Sequence, residues 1–241
     1  MDTIEIRYIF KFSDGRREQI DLRLDPHTLD VVNRSPENPP EWVGIDYCRC
    51  PHCADAGLVT PYCPVALSLV DVVKRFGNVT SHEPVDLQVV SAGRTISQHT
   101  VAQKAISSLL GLLISTSGCP FTDFFKPMAR FHLPLSSEEE TVFRASGMYL
   151  LAQYFRKREG QSEDCELRGL ARIYDDLHRL NVSIARRLRH ATKEDSSLNA
   201  MTVLDIFTHT FQCVIEEELA ELRQPFAPYF SGSYQKLLDD L

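Results

Sequence analysis

Four cysteines crowd one stretch of the chain, in the run Cys48-Arg49-Cys50-Pro51-His52-Cys53 followed by Cys63-Pro64. A Cys-x-x-Cys step lets two thiolates reach one tetrahedral metal from a tight backbone turn. Cys48, Cys50, Cys53 and Cys63 can therefore fill a metal's shell without help. The second Cys-x-x-Cys pair of the common zinc modules is missing, so the fourth ligand stays open. The candidates are Cys48, His52 and a side chain from elsewhere, such as Cys119 or His132. Cys63 precedes Pro64 at an expected helix start, where a thiolate is favoured over a thiol. A structural zinc or an iron–sulfur cluster would suit this set, and the alternative is a group of reduced cysteines in a loop.

A second cluster of reactive types spans Ser117-Gly118-Cys119-Pro120 and Lys126 to Pro134. Cys119, His132 and Arg130 could act as nucleophile, base and anion clamp. They could equally serve packing, or His132 could complete the metal site. Arg130 and His132 stand two apart, so a strand would place them on one face.

The C-terminal half offers carboxylate–histidine pairs, Asp175 with His178 and Asp205 with His209, each spaced to share a helix face. No Glu-x-x-His step accompanies them, which makes solvated helix faces the simpler reading than a dimetal site. Arg186-Arg187-x-Arg189-His190 is read as cations complementing a helix end. Without interleaved aromatics it is a poor base-stacking surface. Cys165 lies in a polar stretch, and Cys213 is expected in the core.

These residues need elements to position them. Ile4, Ile6, Tyr8, Phe10 and Phe12 point one way with Glu5, Arg7 and Lys11 between them, and Ile20, Leu22 and Leu24 repeat the period after an Asp14-Gly15 turn, which predicts a β-hairpin. The stretch from Asn33 to Pro61 has no sustained period and needs something to hold it. A helix is predicted from Pro64 to Gly77, a strand over Val85 to Val90, and a helix capped by Thr100 and Gln103 that continues to about Ser117. Three amphipathic helices should follow, the first capped by Ser136/Ser137 with Glu139/Glu140, forming an antiparallel bundle.

The 241 residues carry 43% hydrophobic and 24% charged side chains, the balance of a folded protein. A net charge of −7 argues against a dedicated nucleic-acid binder. The N-terminal residues lack the pattern of a secretory signal, and the most apolar run, Ile106 to Ser115, is too short to cross a bilayer and reads as a buried helix. Seven cysteines, an odd number, point to a reducing, cytoplasmic compartment where thiols serve metals, chemistry or packing. No glycine-rich phosphate loop, Gly-x-Ser-x-Gly or His-Glu-x-x-His occurs.

The segments SSLLGLLISTSGCP, FFKPMARFHLPL, EEETVFRASGMYLLAQYF and LRHATKEDSSLNAMTVLD resemble an uncharacterised family of bacterial proteins described only as a domain of unknown function. The resemblance spans about Asp46 to Leu222 and implies no activity.

The sequence thus reads as an α+β protein, with an α+β part over residues 1–135 that holds the Cys loop of residues 33–63, and a helical part over 136–241. The expected function is that of a zinc-stapled binding or regulatory protein, with an unknown protein or a second copy as partner and neither nucleic acid nor membrane. The alternative is a redox or metal-dependent enzyme using the cluster with Cys119 and His132.

Overall fold

The protein, seen here as a computed structural model, is described over residues 3–32, 38–191 and 195–239. The side chain of Cys213, the start of the loop at residues 33–37 and the expectations placed on them lie outside the described residues.

Alternation builds the sheet. β1 (Ile4–Phe12) and β2 (Arg17–Leu24) form the expected hairpin, from Ile4 opposite Leu24 to Lys11 opposite Arg17. Gly15, at φ +90°, lets the chain reverse where a side chain would be strained. Residues two apart share a face, so Ile6, Tyr8, Phe10 and Phe12 are buried together with Ile20, Leu22 and Leu24. β3 (Pro84–Ser91) pairs with β1 and β4 (Arg94–Val101) with β3, giving a fully antiparallel sheet in the order β2-β1-β3-β4.

The capping box predicted at Thr100 and Gln103 is not formed. Thr100 lies in β4 opposite Val85, and the helix begins after Val101 with no side-chain cap. The N–H groups of Ala102 and Gln103 instead donate to the carbonyls of Glu83 and Ser81 at 2.8 and 3.0 Å, which satisfies helix-start donors from another segment.

The helix expected from Pro64 to Gly77 is interrupted at Leu69. α1 (Pro51–Asp55) precedes it within the loop, and α2 (Pro64–Ser68) and α3 (Val70–Phe76) lie on either side of the break. α4 (Ala102–Ser115) is the predicted buried helix, with Ala105, Ile106, Leu109 and Leu110 in the core. α5 (Lys126–Arg130) follows, then α6 (Glu138–Arg158), whose start is the expected capping box between Ser137 and Glu140. α7 (Arg168–Ala191) and α8 (Ser196–Leu222) are the other long helices, followed by a 3-10 turn over Gln224–Phe230 and α9 (Gly232–Asp239). The chain is α+β, and among the described residues no helix is long and apolar enough to cross a membrane.

The chain gathers into two compact units, each built from two separate stretches. Met1–Leu135 joins Asp175–Thr208, and Ser136–Tyr174 joins His209–Leu241. In the first unit, Leu180, Ile184 and Leu188 of α7 and Ala200 and Met201 of α8 share one core with the sheet and α4. In the second, Asp164 is a local anchor. It accepts hydrogen bonds from Tyr149 Oη at 2.9 Å and from the N–H groups of Gly169 and Glu166 at 2.7 and 3.0 Å.

Candidate metal centre

Each expected ligand sits where proline has shaped the backbone. Cys50, preceding Pro51, is extended (φ −66°, ψ 137°) and forms the N-cap of α1, with Cys53 at its third position. The Cys-Pro-x-Cys step thus places Cys50 at the N-cap and Cys53 at N3 of one short helix, both buried. Cys63, preceding Pro64, is likewise extended and forms the N-cap of α2. Its N–H donates to Val43 at 2.9 Å, and a bridge between Gly44 and Tyr62 closes the loop over it.

The third Cys-Pro step, Cys119-Pro120, arrives from far along the chain. Gly118, at φ +75° and with Asp30 packed against it, admits the turn, and Thr122 N–H closes it on the Cys119 carbonyl at 3.0 Å. This turn adjoins α1, because the rings of His52 and Phe121 stack with centroids 4.9 Å apart. His52 Nε2 is hydrogen-bonded to the Asp176 carbonyl at 2.9 Å, which leaves Nδ1 as its nitrogen for any ligand role.

Cys50, Cys53, Cys63 and Cys119 are all buried. Burial pushes the Cys53 thiol up to about 11, Cys50 and Cys63 add to this, and Arg49 and Arg187 oppose it. Burial pushes Cys119 up to about 12, against a hydrogen bond from the Phe121 N–H, with Cys63, Cys53 and Cys50 again adding. Cys50 and Cys63 thus act electrostatically on both Cys53 and Cys119. At neutral pH Cys53 and Cys119 are protonated and weak as nucleophiles. Among the described residues, however, no three His, Cys, Asp or Glu side chains stand in an arrangement that could hold a metal ion as they are.

Arg187 reads from the sequence as one of a run of cations complementing a helix end, of which Arg186, Arg189 and His190 are exposed. It is only 1% exposed. Nη1 donates to the carbonyls of Trp42 and Gly44 at 2.8 and 2.7 Å, and Nη2 to that of Ile45 at 3.1 Å. Nε has no hydrogen-bond partner and no carboxylate pairs with the guanidinium among the described residues. A buried cation without a counter-charge is unfavourable, and the neighbouring thiols are groups that could supply one as thiolates. The signal was present in the spacing. Leu177, Leu180, Ile184 and Leu188 form the apolar stripe, and Arg187 falls on it, three residues after Ile184.

The other candidates separate. Cys48 is partly exposed in the left-handed region at φ 46°. Arg130 ends α5 rather than sharing a strand face with His132. His132 Nε2 meets the buried Tyr8 hydroxyl at 2.5 Å, and that hydroxyl also contacts Ser108. No hydrogen bond joins Cys119 to His132 among the described residues. His178 pairs with Asp205 of the facing helix at 2.7 Å, while Asp175 pairs with Arg179 at 3.0 Å.

A family model described as Domain of unknown function (DUF6901) matches residues 6–227. The chain belongs to the DUF6901 family. The match reaches beyond the expected Asp46–Leu222 at both ends and takes in the hairpin from Ile6 onward, the cysteine loop, Cys119 and Arg187, so the whole candidate centre lies within the DUF6901 region. No curated protein and no solved structure matches the chain.

Proposed function

We propose that this is a metal-binding protein in which Cys50, Cys53, Cys63 and Cys119 hold one ion as thiolates, with zinc as the metal. The observation that supports the reading is the burial of Cys50, Cys53, Cys63 and Cys119 on three Cys-Pro steps, together with a buried guanidinium that no carboxylate pairs among the described residues. A zinc tetrathiolate is dianionic, and Arg187 is the cation that would offset it. Closing the shell needs the thiols to lose their protons, so binding releases protons and strengthens with pH. Four protein ligands leave no position for a substrate, and the centre then orders the loop as part of a binding or regulatory module. An iron–sulfur cluster on the same ligands is the second reading, favoured by the same set of four thiols.

Elemental analysis with an absorption spectrum, on protein purified without oxygen or a metal-binding tag, decides between them. About one zinc per chain without colour is the expected result. Iron with acid-labile sulfide would replace zinc by a cluster, and metal-free protein that takes up neither would overturn the proposal.

A further inference from the structure

α6 carries apolar side chains on two faces. Val142, Ala145 and Tyr149 are buried. Phe143, Leu150, Leu151, Tyr154 and Phe155 are 41–54% exposed on the other side. Single exposed apolar residues are ordinary, but a contiguous set marks an interaction surface. This one is widened by Phe226 beside Phe143 and Tyr229 beside Phe226, with ring centroids 6.4 and 6.2 Å apart.

The order of residues along α6 says what fits it. Phe143, Gly147, Leu150 and Tyr154 follow the four-three-four spacing of a helix-pairing seam. Glycine in mid-helix weakens a helix, and a Cβ at Gly147 would meet nothing within 4 Å, so nothing among the described residues calls for glycine there. In a seam it is the hole that receives a side chain from the facing helix. The ends are of opposite charge, with Glu138, Glu139 and Glu140 in the first turn and Arg156, Lys157 and Arg158 in the last.

An antiparallel copy of α6, related by a two-fold axis between Met148 and Tyr149, satisfies all of this at once. Phe143 falls opposite Tyr154, Leu150 opposite Gly147, Glu139 opposite Arg158 and Glu140 opposite Lys157, each pair occurring twice as a two-fold interface requires. Arg158 lies over the Tyr154 ring, 5.9 Å from its centroid, and so already flanks the seam. Lys157 also pairs with Glu163 at 2.9 Å, an exposed pair weak enough to be shared.

We propose that α6 is the seam of a two-fold homodimer, two copies pairing antiparallel along Phe143, Gly147, Leu150 and Tyr154. This stands independently of the metal centre.

Sedimentation equilibrium of the full chain tests it, in reductant because Cys165 is exposed. The expected species at micromolar concentration has twice the 27.4 kDa chain mass. Leu150→Glu and Gly147→Leu alter exposed positions, so both should keep the helical circular dichroism while weakening association about tenfold or more. Glu139→Lys should weaken it less, and adding Arg158→Glu should restore it. A chain that stays monomeric would overturn the proposal, whether or not it binds lipid vesicles. So would a dimer indifferent to Leu150→Glu and Gly147→Leu.

Discussion

Arg187 Nη1 donates to the carbonyl oxygen of Gly44 at 2.7 Å, fixing α7 to the segment that enters the cysteine loop. The same nitrogen holds Trp42, and Nη2 holds Ile45. Arg187→Met would leave the Trp42 and Ile45 carbonyls without this donor, while Gly44 keeps the Tyr47 N–H, at about 1–3 kcal/mol for each buried group left unpaired. Urea unfolding should show a loss of about 3 kcal/mol or more, and Arg187→Lys a smaller one, since an ammonium cannot match the planar fork. A Met variant as stable as its parent would refute the stapling role.

Cys48 and Cys119 should behave oppositely in metal retention. Cys119→Ser removes a buried thiol that the proposed shell uses, and zinc content should fall well below that of the parent. Cys48→Ser alters a partly exposed residue and should leave zinc in place. Metal analysis after dialysis against a mild chelator separates the two, and the reverse order would put Cys48 in the shell.

Gly169 leaves no room for a side chain. A Cβ there would collide with the Tyr149 hydroxyl, which donates to Asp164. Gly169→Ala should cost about 1–3 kcal/mol through overpacking and the displaced hydroxyl. Tyr149→Phe should cost about 1 kcal/mol. If the collision is the cause, the double variant should lose less than the sum of the two.

Asp164 supplies an acid-sensitive term. The Gly169 N–H, with help from Tyr149 and Glu166, holds its carboxyl below the ordinary 3.8. The folded state therefore favours the carboxylate. Its contribution is complete above pH 3.8 and is lost as pH falls through the lower folded value. Asp164→Asn should unfold with a flatter acid limb, and an unchanged limb would count against the assignment.

Tyr8 acts at the other end of the scale. Burial raises its phenol above the ordinary 10.0 despite the Ser108 contact. The folded chain keeps the proton where the unfolded chain gives it up, so this contribution is whole below pH 10 and falls as pH rises beyond it. In urea titrations at rising pH, Tyr8→Phe should start less stable, having lost the bond to His132, yet decline less steeply.

The first hairpin is legible because one face of β1 and β2 is apolar and the other, apart from the buried Ile9, carries polar residues, with glycine at the turn. β4 is not. Thr95, Ser97, Gln98 and His99 make its outer-edge sequence polar on both faces, so no period marks it. The break at Leu69 leaves the helical spacing on either side intact and so writes no signal of its own. In the candidate centre, Cys50, Cys53 and Cys63 are read from local spacing, whereas the turn that carries Cys119 reaches α1 only through the tertiary packing of Phe121 on His52. Arg187 reads as part of a helix-end basic run because its charge, rather than its place on the apolar stripe, is what the run of four cationic types displays.

The first unit's two-part construction also orders events while the chain is being made. Cys50, Cys53 and Cys63 leave the ribosome long before Arg187, and residues 175–208 are needed to complete their unit. At about 5–20 residues per second the cysteine loop waits on the order of ten seconds for its guanidinium. During that interval the thiols are open to whatever ion or oxidant the compartment offers, and a metal captured then would be sealed in by the arrival of α7.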